Sequence, residues 1–272
     1  MCENGCHIVT PVCVHHKEGV VMIDILDILT YMVNRLGLKC KRGDLVLKGG
    51  LALEDKLRAT APDFLRYTHD IDLHVGSIET YTEVFGDIES WLNSGTNKYV
   101  FKSTKVRDFK NGSAGYDFIV SAGTEQMRVG IDLNVAPMQI ISIDYTDTFS
   151  IPTYDIYTML ADKMAVMCNR VIFRRIKDLY DIYAILHLAD ISYAQLWQRV
   201  ERKRPGVVSQ RNYMLLPEHY DSLQHAFTQF KGIEQHHDFD SIISVVSYFM
   251  TKYMKGDVVI WDHNQLIWKS GE

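Results

Sequence analysis

The chain has 272 residues, a formal net charge of −5 and 47% hydrophobic residues, the balance of a folded protein long enough to bury its own core without staples. The acidic balance excludes a global pull toward nucleic acid or an anionic membrane, so such a partner must meet a local patch. No uncharged apolar run reaches the roughly 18 residues of a membrane span, and the start lacks a basic segment followed by an apolar core, so neither a spanning helix nor a signal peptide is expected.

Five cysteines, Cys2, Cys6, Cys13, Cys40 and Cys168, are odd in number and most lie near the N-terminus. That fits a reducing cytoplasm better than a disulfide framework. Cys2, Cys6, His7 and Cys13 do not follow the repeated spacing of a zinc site and read as part of a leader.

From residue 24 to 36, apolar residues at 25, 26, 28, 29, 32, 33 and 36 form a helical stripe, with Asp24 as cap and Gly37 as stop. "LVLKGG" is a short strand ending on Gly49-Gly50, and "LALEDKLR" starts a helix, so the glycines occupy a strand-to-helix turn. From His69 to Val75 the alternation puts Asp70, Asp72 and His74 on one face of a strand and Ile71, Leu73 and Val75 on the other. Residues 77–94 read as one amphipathic helix. The next stretch reads as a three-stranded meander, with turns at Asn111-Gly112 and Ala122-Gly123-Thr124. In its last strand Met127, Val129, Ile131, Leu133 and Val135 face the core, and Gln126, Arg128, Gly130, Asp132 and Asn134 face away. After about residue 152 strand signals stop and helical periods take over. The expected organisation is a mixed α/β half over residues 1–150 and a helical half over 151–272.

Side chains at i and i+2 of a strand lie about 6.5–7 Å apart on one side, so Asp70 and Asp72 can share a divalent ion or hold one end each of a metal pair. Asp132 joins them if its strand is a neighbour. Mg²⁺ suits carboxylate oxygens plus substrate phosphates, with Mn²⁺ as the alternative, and a third carboxylate can take a proton from an attacking hydroxyl or complete a second metal site. Taken alone, D-x-D is more often a solvated strand face. Gly49 and Gly50 shift that balance, because backbone N–H groups at a helix start cradle phosphate. Arg66 offers a phosphate-binding fork or a plain surface charge. Thr68 offers a hydroxyl near the metal or suits a strand start. Lys163, on an apolar helical stripe, either snorkels to water or points at a phosphate. Arg174, Lys177, Asp178 and Asp181 share one helical face, either a salt-bridged surface or one wall of a cleft. The basic stretch of Arg199, Arg202, Lys203, Arg204 and Arg211 is either a track for RNA or a solvated loop.

"VLKGGLAL", "RYTHDIDL", "IDLNV" and "LADKMAVM…RRIKDLYDIY", in that order from about Leu45 to Leu186, resemble the AbiEii-type nucleotidyltransferase toxins of toxin–antitoxin and phage-defence systems. The resemblance implies an α+β fold, a polymerase-β-like nucleotidyltransferase core with a mixed sheet and flanking helices, followed by a C-terminal helical domain. It implies Mg²⁺ on Asp70 and Asp72, with Asp132 at a third acidic position. Thr68, Lys163, Lys177, Asp178 and Asp181 match positions that bind nucleotide or take part in catalysis. It also implies transfer of a nucleoside monophosphate from an NTP, in some members to the acceptor end of tRNA, and a separate antitoxin protein. One departure stands out. Leu51 occupies a place where family members often carry Ser or Thr, so a hydroxyl that would bond a phosphate is missing. The same fold also serves small-molecule nucleotidyltransferases of the antibiotic-modifying kind, and a degenerate nucleotide-binding copy without activity is the third alternative.

Overall fold

The computed structural model describes residues 24–41, 43–138, 142–168, 175–203, 205–206, 217–230, 232–233 and 237–270. The cysteine-bearing leader, Arg174, Arg204 and Arg211 lie outside these residues. None of the described helices is long and apolar enough to cross a membrane.

Helix α1 (Ile25–Gly37) starts where the Asp24 carboxylate accepts from the Leu26 N–H at 2.9 Å, the side-chain cap that orphan amides at a helix start require. Its buried stripe is Ile28, Leu29, Met32, Val33 and Leu36. Strand β1 (Leu45–Lys48) runs straight into α2 (Gly49–Thr60). After a 3₁₀ turn at Pro62–Phe64, β2 (Asp70–Val75) follows. Ile71, Leu73 and Val75 are fully buried on one of its faces.

The helix expected over 77–94 is two helices, α3 (Ile78–Phe85) and α4 (Ile88–Asn93). The break falls at Gly86-Asp87, where Asp87 has a non-helical φ of −130°. Glycine weakens a helix interior, and the break lets α3 pack on β2 while α4 packs on the next strand and on α1. The meander is as expected: β3 (Val100–Lys110), β4 (Ser113–Ala122) and β5 (Glu125–Val135). Asn111 and Gly112, with φ of 52° and 76°, make the tight β3–β4 turn that Asn-Gly favours.

Two short strands, β6 (Ile143–Asp144) and β7 (Thr153–Tyr154), complete a seven-stranded mixed sheet of order β3-β4-β5-β2-β1-β7-β6. β2 is parallel to β5, and β1 is parallel to β7. Helices α5 (Ile156–Met167), α6 (Ile176–Leu188), α7 (Tyr193–Lys203), α8 (Tyr220–Thr228) and α9 (Phe239–Lys255) form the C-terminal half. α5 packs on α6 and α7, and α6 also meets α2 and α9.

Strand signals do not in fact stop at 152. β8 (Ile191–Ser192), β9 (Ile260–Asp262) and β10 (Ile267–Lys269) form a second, three-stranded sheet. Each strand is two or three residues long, too short for a period to register. Tertiary packing supplies what period cannot: the Trp261 indole donates to the Leu186 carbonyl at 2.8 Å, and Trp268 donates to that of Phe249 at 3.1 Å.

Candidate active site

The register of the sheet assembles the acids. Asp72 on β2 lies directly beside Asp132 on β5, and on its other side beside Lys48 on β1. Asp70 lies beside Gly130. All three carboxylates therefore rise from one face of two adjacent parallel strands. The opposite face, Ile71, Leu73, Ile131 and Leu133, is core, and that burial anchors the strands so the acids hold their positions.

Asp72 is half-buried, whereas Asp70 and Asp132 are exposed. Burial pushes the Asp72 carboxyl above its ordinary pKa, and the Lys48 and Lys163 ammonium groups partly oppose that. Neither Asp70 nor Asp72 makes an ion pair among the described residues. Asp132 is met by Arg107 of β3 at 2.7 Å, and that guanidinium also reaches Asp117 at 3.4 Å. Carboxylate oxygens of this kind are the hard donors that Mg²⁺ or Mn²⁺ takes, and no ion pair at Asp70 or Asp72 among the described residues competes for a cation. The three carboxylates do not converge within single-ion distance of one another, and Asp132 is already engaged by Arg107.

Gly49 opens α2 with φ +70°, and a Cβ there would lie 2.1 Å from Asp72 Oδ2. Only glycine accepts both the left-handed backbone and that approach. The N-terminal amides of α2, with the positive end of its dipole, thus stand against Asp72, which is the juxtaposition a metal–phosphate pair needs.

Behind the carboxylates lies a buried network of charges. Arg66 grips Asp181 bidentately, Nε to Oδ1 at 2.5 Å and Nη2 to Oδ2 at 2.8 Å. Lys163 spans Asp178 Oδ1 and Asp181 Oδ2, both at 2.7 Å. Arg175 stands 3.6 Å from Asp178 Oδ2, an oxygen with no hydrogen-bond partner. Burial alone would raise the Asp181 carboxyl, but Arg66 and Lys163 hold it well below the usual carboxylate range. Lys163 is likewise kept charged, by Asp181 and Asp178, despite its burial. Of the site residues expected from sequence, Arg66, Lys163, Asp178 and Asp181 are brought together here. Thr68 Oγ1 sits at the start of β2, 3.4 Å from the Asp70 N–H.

A cleft of about 470 Å³ takes in part of this set; Asp70, Asp132, Gly50, Arg66 and Asp181 do not line it. Its walls include Lys48, Gly49, Asp72, Lys163, Lys177, Asp178 and Arg202. Lys177 is exposed at its edge. At its back, His74 Nδ1 accepts a hydrogen bond from the Tyr154 hydroxyl (2.6 Å), and Nε2 lies 2.7 Å from the Ala136 carbonyl. A carbonyl only accepts, so Nε2 carries the proton, and the burial that lowers the His74 pKa agrees with a neutral ring. Lys48 and Arg107 are the residues sequence reasoning missed. Lys48 was visible as the residue before the glycines. Arg107 had no signal, because its partner is set by the pairing of β3, β4 and β5.

Among the described residues of the basic stretch, Arg199 and Lys203 are engaged within the chain. Arg199 meets Ser142 Oγ at 2.5 Å and Asp155 at 3.8 Å, and Lys203 pairs with Asp162. Arg202 is exposed and lines the cleft. Leu51 is fully buried, and it lines a second, mostly apolar cavity with Leu26, Ile156 and Leu188 instead of the cleft.

The mixed sheet with flanking helices and a helical C-terminal region is that of a polymerase-β-like nucleotidyltransferase core. Two solved structures share this fold. JHP933 from Helicobacter pylori is 13% identical, with a TM-score of 0.56 over 85% of this chain and 90% of that one. A second H. pylori structure, described as a candidate nucleotidyltransferase, is 12% identical, with a TM-score of 0.55 over 85% of this chain and 94% of that one. The model of the nucleotidyl transferase AbiEii toxin, type IV toxin–antitoxin system, matches residues 32–243; the chain belongs to this family. No curated protein matches the chain.

Proposed function

We propose that the protein transfers a nucleoside monophosphate from an NTP to an acceptor hydroxyl, releasing pyrophosphate, and that tRNA or another RNA is the acceptor. The observation that carries this reading is the Asp72–Asp132 register beside the Gly49 helix start. In this reading Asp70 and Asp72 would hold Mg²⁺, and Asp132 either completes a second metal site or acts as the base. Bound there, the cation neutralises triphosphate charge and stabilises the departing pyrophosphate.

The chain's own groups do the rest. The amides at Gly49 and Gly50 hold the triphosphate at the positive end of α2. Lys48, Lys163 and Lys177 place positive charge along the cleft, where preorganised electrostatics contribute most to phosphoryl transfer. Asp132, at the open edge, takes the proton of the acceptor hydroxyl while that oxygen bonds to the α-phosphorus and the bond to pyrophosphate breaks. Arg66, Asp178 and Asp181 act from behind, by fixing Lys163 and the start of α2. Membership of a toxin family supports the same reading's biological setting, a cytoplasmic toxin acting with a separate antitoxin.

The buried position of Leu51 removes the main support for a degenerate copy, because its side chain does not line the cleft. The test is incubation with each α-labelled NTP, Mg²⁺ and total cellular RNA. Label should appear on RNA with the parent and vanish with Asp72→Ala. Equal labelling by both proteins would overturn the metal assignment, and label on a small-molecule acceptor alone would overturn the RNA assignment.

A further inference from the structure

The cross-strand rows that align the acids continue outward over β5, β4 and β3. The Asp72–Asp132 row extends to Gly115 and then Arg107. The Asp70–Gly130 row extends to Asp117 and Lys105. The rows on either side end on Lys110, through Asn134 and Ser113, and on Lys102, through Arg128 and Ile119. Directly opposite residues share a face, so Lys102, Lys105, Arg107, Lys110 and Arg128 all stand on the side of the sheet that carries Asp70, Asp72 and Asp132. All five are exposed. Phe101 and Val106 of β3, opposite Val120 and Tyr116, turn the other way, where Phe109 also meets Tyr81 at a ring separation of 5.6 Å. Val100, opposite Ser121, stands exposed at the outer end of the basic side.

The acids of this extension, Asp117 and Asp132, both face the Arg107 guanidinium. Lys102, Lys105, Lys110 and Arg128 have no ion pair among the described residues, in a chain whose net charge is −5. Glycine keeps the surface low. A Cβ at Gly115 would lie 2.4 Å from the Arg107 guanidinium, and one at Gly130 would lie 2.7 Å from Asp70 Oδ1. Arg107 thereby lies flat across β4 to reach Asp132. The result is an open basic face leading to the metal-type carboxylates. The helical basic stretch, by contrast, has Arg199 and Lys203 engaged within the chain.

We propose that this face of β3–β5 is the acceptor platform, on which the backbone phosphates of a single-stranded RNA end lie so that its terminal hydroxyl reaches Asp132. The inference rests on the nucleotidyltransferase reading and adds the surface and the mode of recognition. Same-face residues of a strand repeat at about 6.5–7 Å, a step comparable to the phosphate repeat of an extended single strand. Among the described residues of this face there is no aromatic side chain on which a base could stack. The contacts are therefore with phosphates, and binding is insensitive to base sequence and sensitive to salt.

The test uses the full chain, a fluorescent oligo-U and a fluorescent oligo-A of equal length, and a poly-glutamate peptide as the acidic-protein probe. The variant K102Q/K105Q/K110Q is compared with K41Q/K252Q/K255Q, which removes the same charge elsewhere, and Arg128→Gln serves as a second probe of the face if the triple variant melts early. The expected result is roughly tenfold or greater weakening of both RNAs with the β3 variant, and a log–log salt slope shallower by about two for three lost phosphate contacts. The control should bind as the parent does. An unchanged RNA affinity and salt slope in the β3 variant would overturn the platform, whether or not label is transferred from NTP. Loss of poly-glutamate binding with RNA binding intact would overturn it in favour of an acidic protein. RNA binding that depends on this face, in a protein that transfers no nucleotide, would leave the platform standing and sink the transferase reading.

Discussion

Arg66 and Asp181, 115 residues apart in sequence, lock together through two parallel hydrogen bonds of 2.5 and 2.8 Å. Their side chains are only 9% and 1% exposed, so neither charge can turn to water if its partner is lost. Asp181→Asn leaves Arg66 and Lys163 with Asp178 and the more distant Asp72 as counter-charges. Breaking a buried pair from one side costs roughly 3–5 kcal/mol, readable as a drop in the urea midpoint. Arg66→Lys should lose much of the same stability, because an ammonium cannot make the fork. The double replacement R66M/D181L should be more stable than Asp181→Asn. If it is less stable, the pair contributes more than its own desolvation cost.

Gly49→Ala should separate ligand binding from stability. Forcing a Cβ into the left-handed region costs about 1–2 kcal/mol, which the fold can bear. The same methyl would overlap Asp72 Oδ2 and push the carboxylate out of place. The upshift in melting temperature on adding NTP with Mg²⁺ should therefore disappear. A full upshift in this variant would mean that Asp72 and the helix start do not act on one ligand.

Leu51→Ser restores the hydroxyl found in many family members, yet its expected effect is harm. The side chain is fully buried, so the change opens space and buries an unpaired polar group, at roughly 2–4 kcal/mol. Chemical denaturation measures the loss, and calorimetry with NTP should show no tightening. Tighter nucleotide binding at unchanged stability would return position 51 to the phosphate site.

Arg107→Met tests whether Asp132 needs to be held. The pair is exposed, with side chains 41% and 52% accessible, so the stability change should stay within about 1 kcal/mol. Outer partners that orient a ligating carboxylate typically matter tenfold or more. The variant should lose roughly tenfold in transfer rate at saturating NTP, with its melting temperature near that of the parent.

The pH dependence of stability should carry the sign of His187. Burial holds its imidazole pKa below the ordinary value, while its ring stacks on Phe64 at 4.4 Å. The unfolded chain therefore binds the proton more readily. This residue adds no pH dependence above the unfolded imidazole pKa of about 6.5, and stability falls as pH drops below that value toward the folded pKa. Melting temperatures at pH 7.5 and 5.5 should show a smaller fall for His187→Phe, which keeps the ring contact. An equal fall would assign the effect to other groups.

Much of the site was legible before the fold. The alternation in "DIDLHV" and "MRVGIDLNV" depends only on i, i+2 geometry, and it correctly put Asp70, Asp72 and Asp132 on polar strand faces. Gly49-Gly50 at a strand-to-helix turn was equally local. The β8–β10 sheet was illegible because two- and three-residue strands have no period of their own. The break at Gly86-Asp87 was hidden by an apolar stripe that runs through both helices.

The sequence by itself determined the candidate site residues and, through its motifs, the family, because each of those signals is contained within a few neighbouring residues. Only the tertiary structure decided who stands next to whom. It put Asp132 beside Asp72, Lys48 on the other flank, and Arg107 across the sheet. It turned Arg66, Lys163, Asp178 and Asp181 into one buried network and engaged Arg199 and Lys203 within the chain. Those pairings follow from strand register and helix docking over separations of tens to more than a hundred residues, where burial of the whole core, and no local pattern, selects the partner.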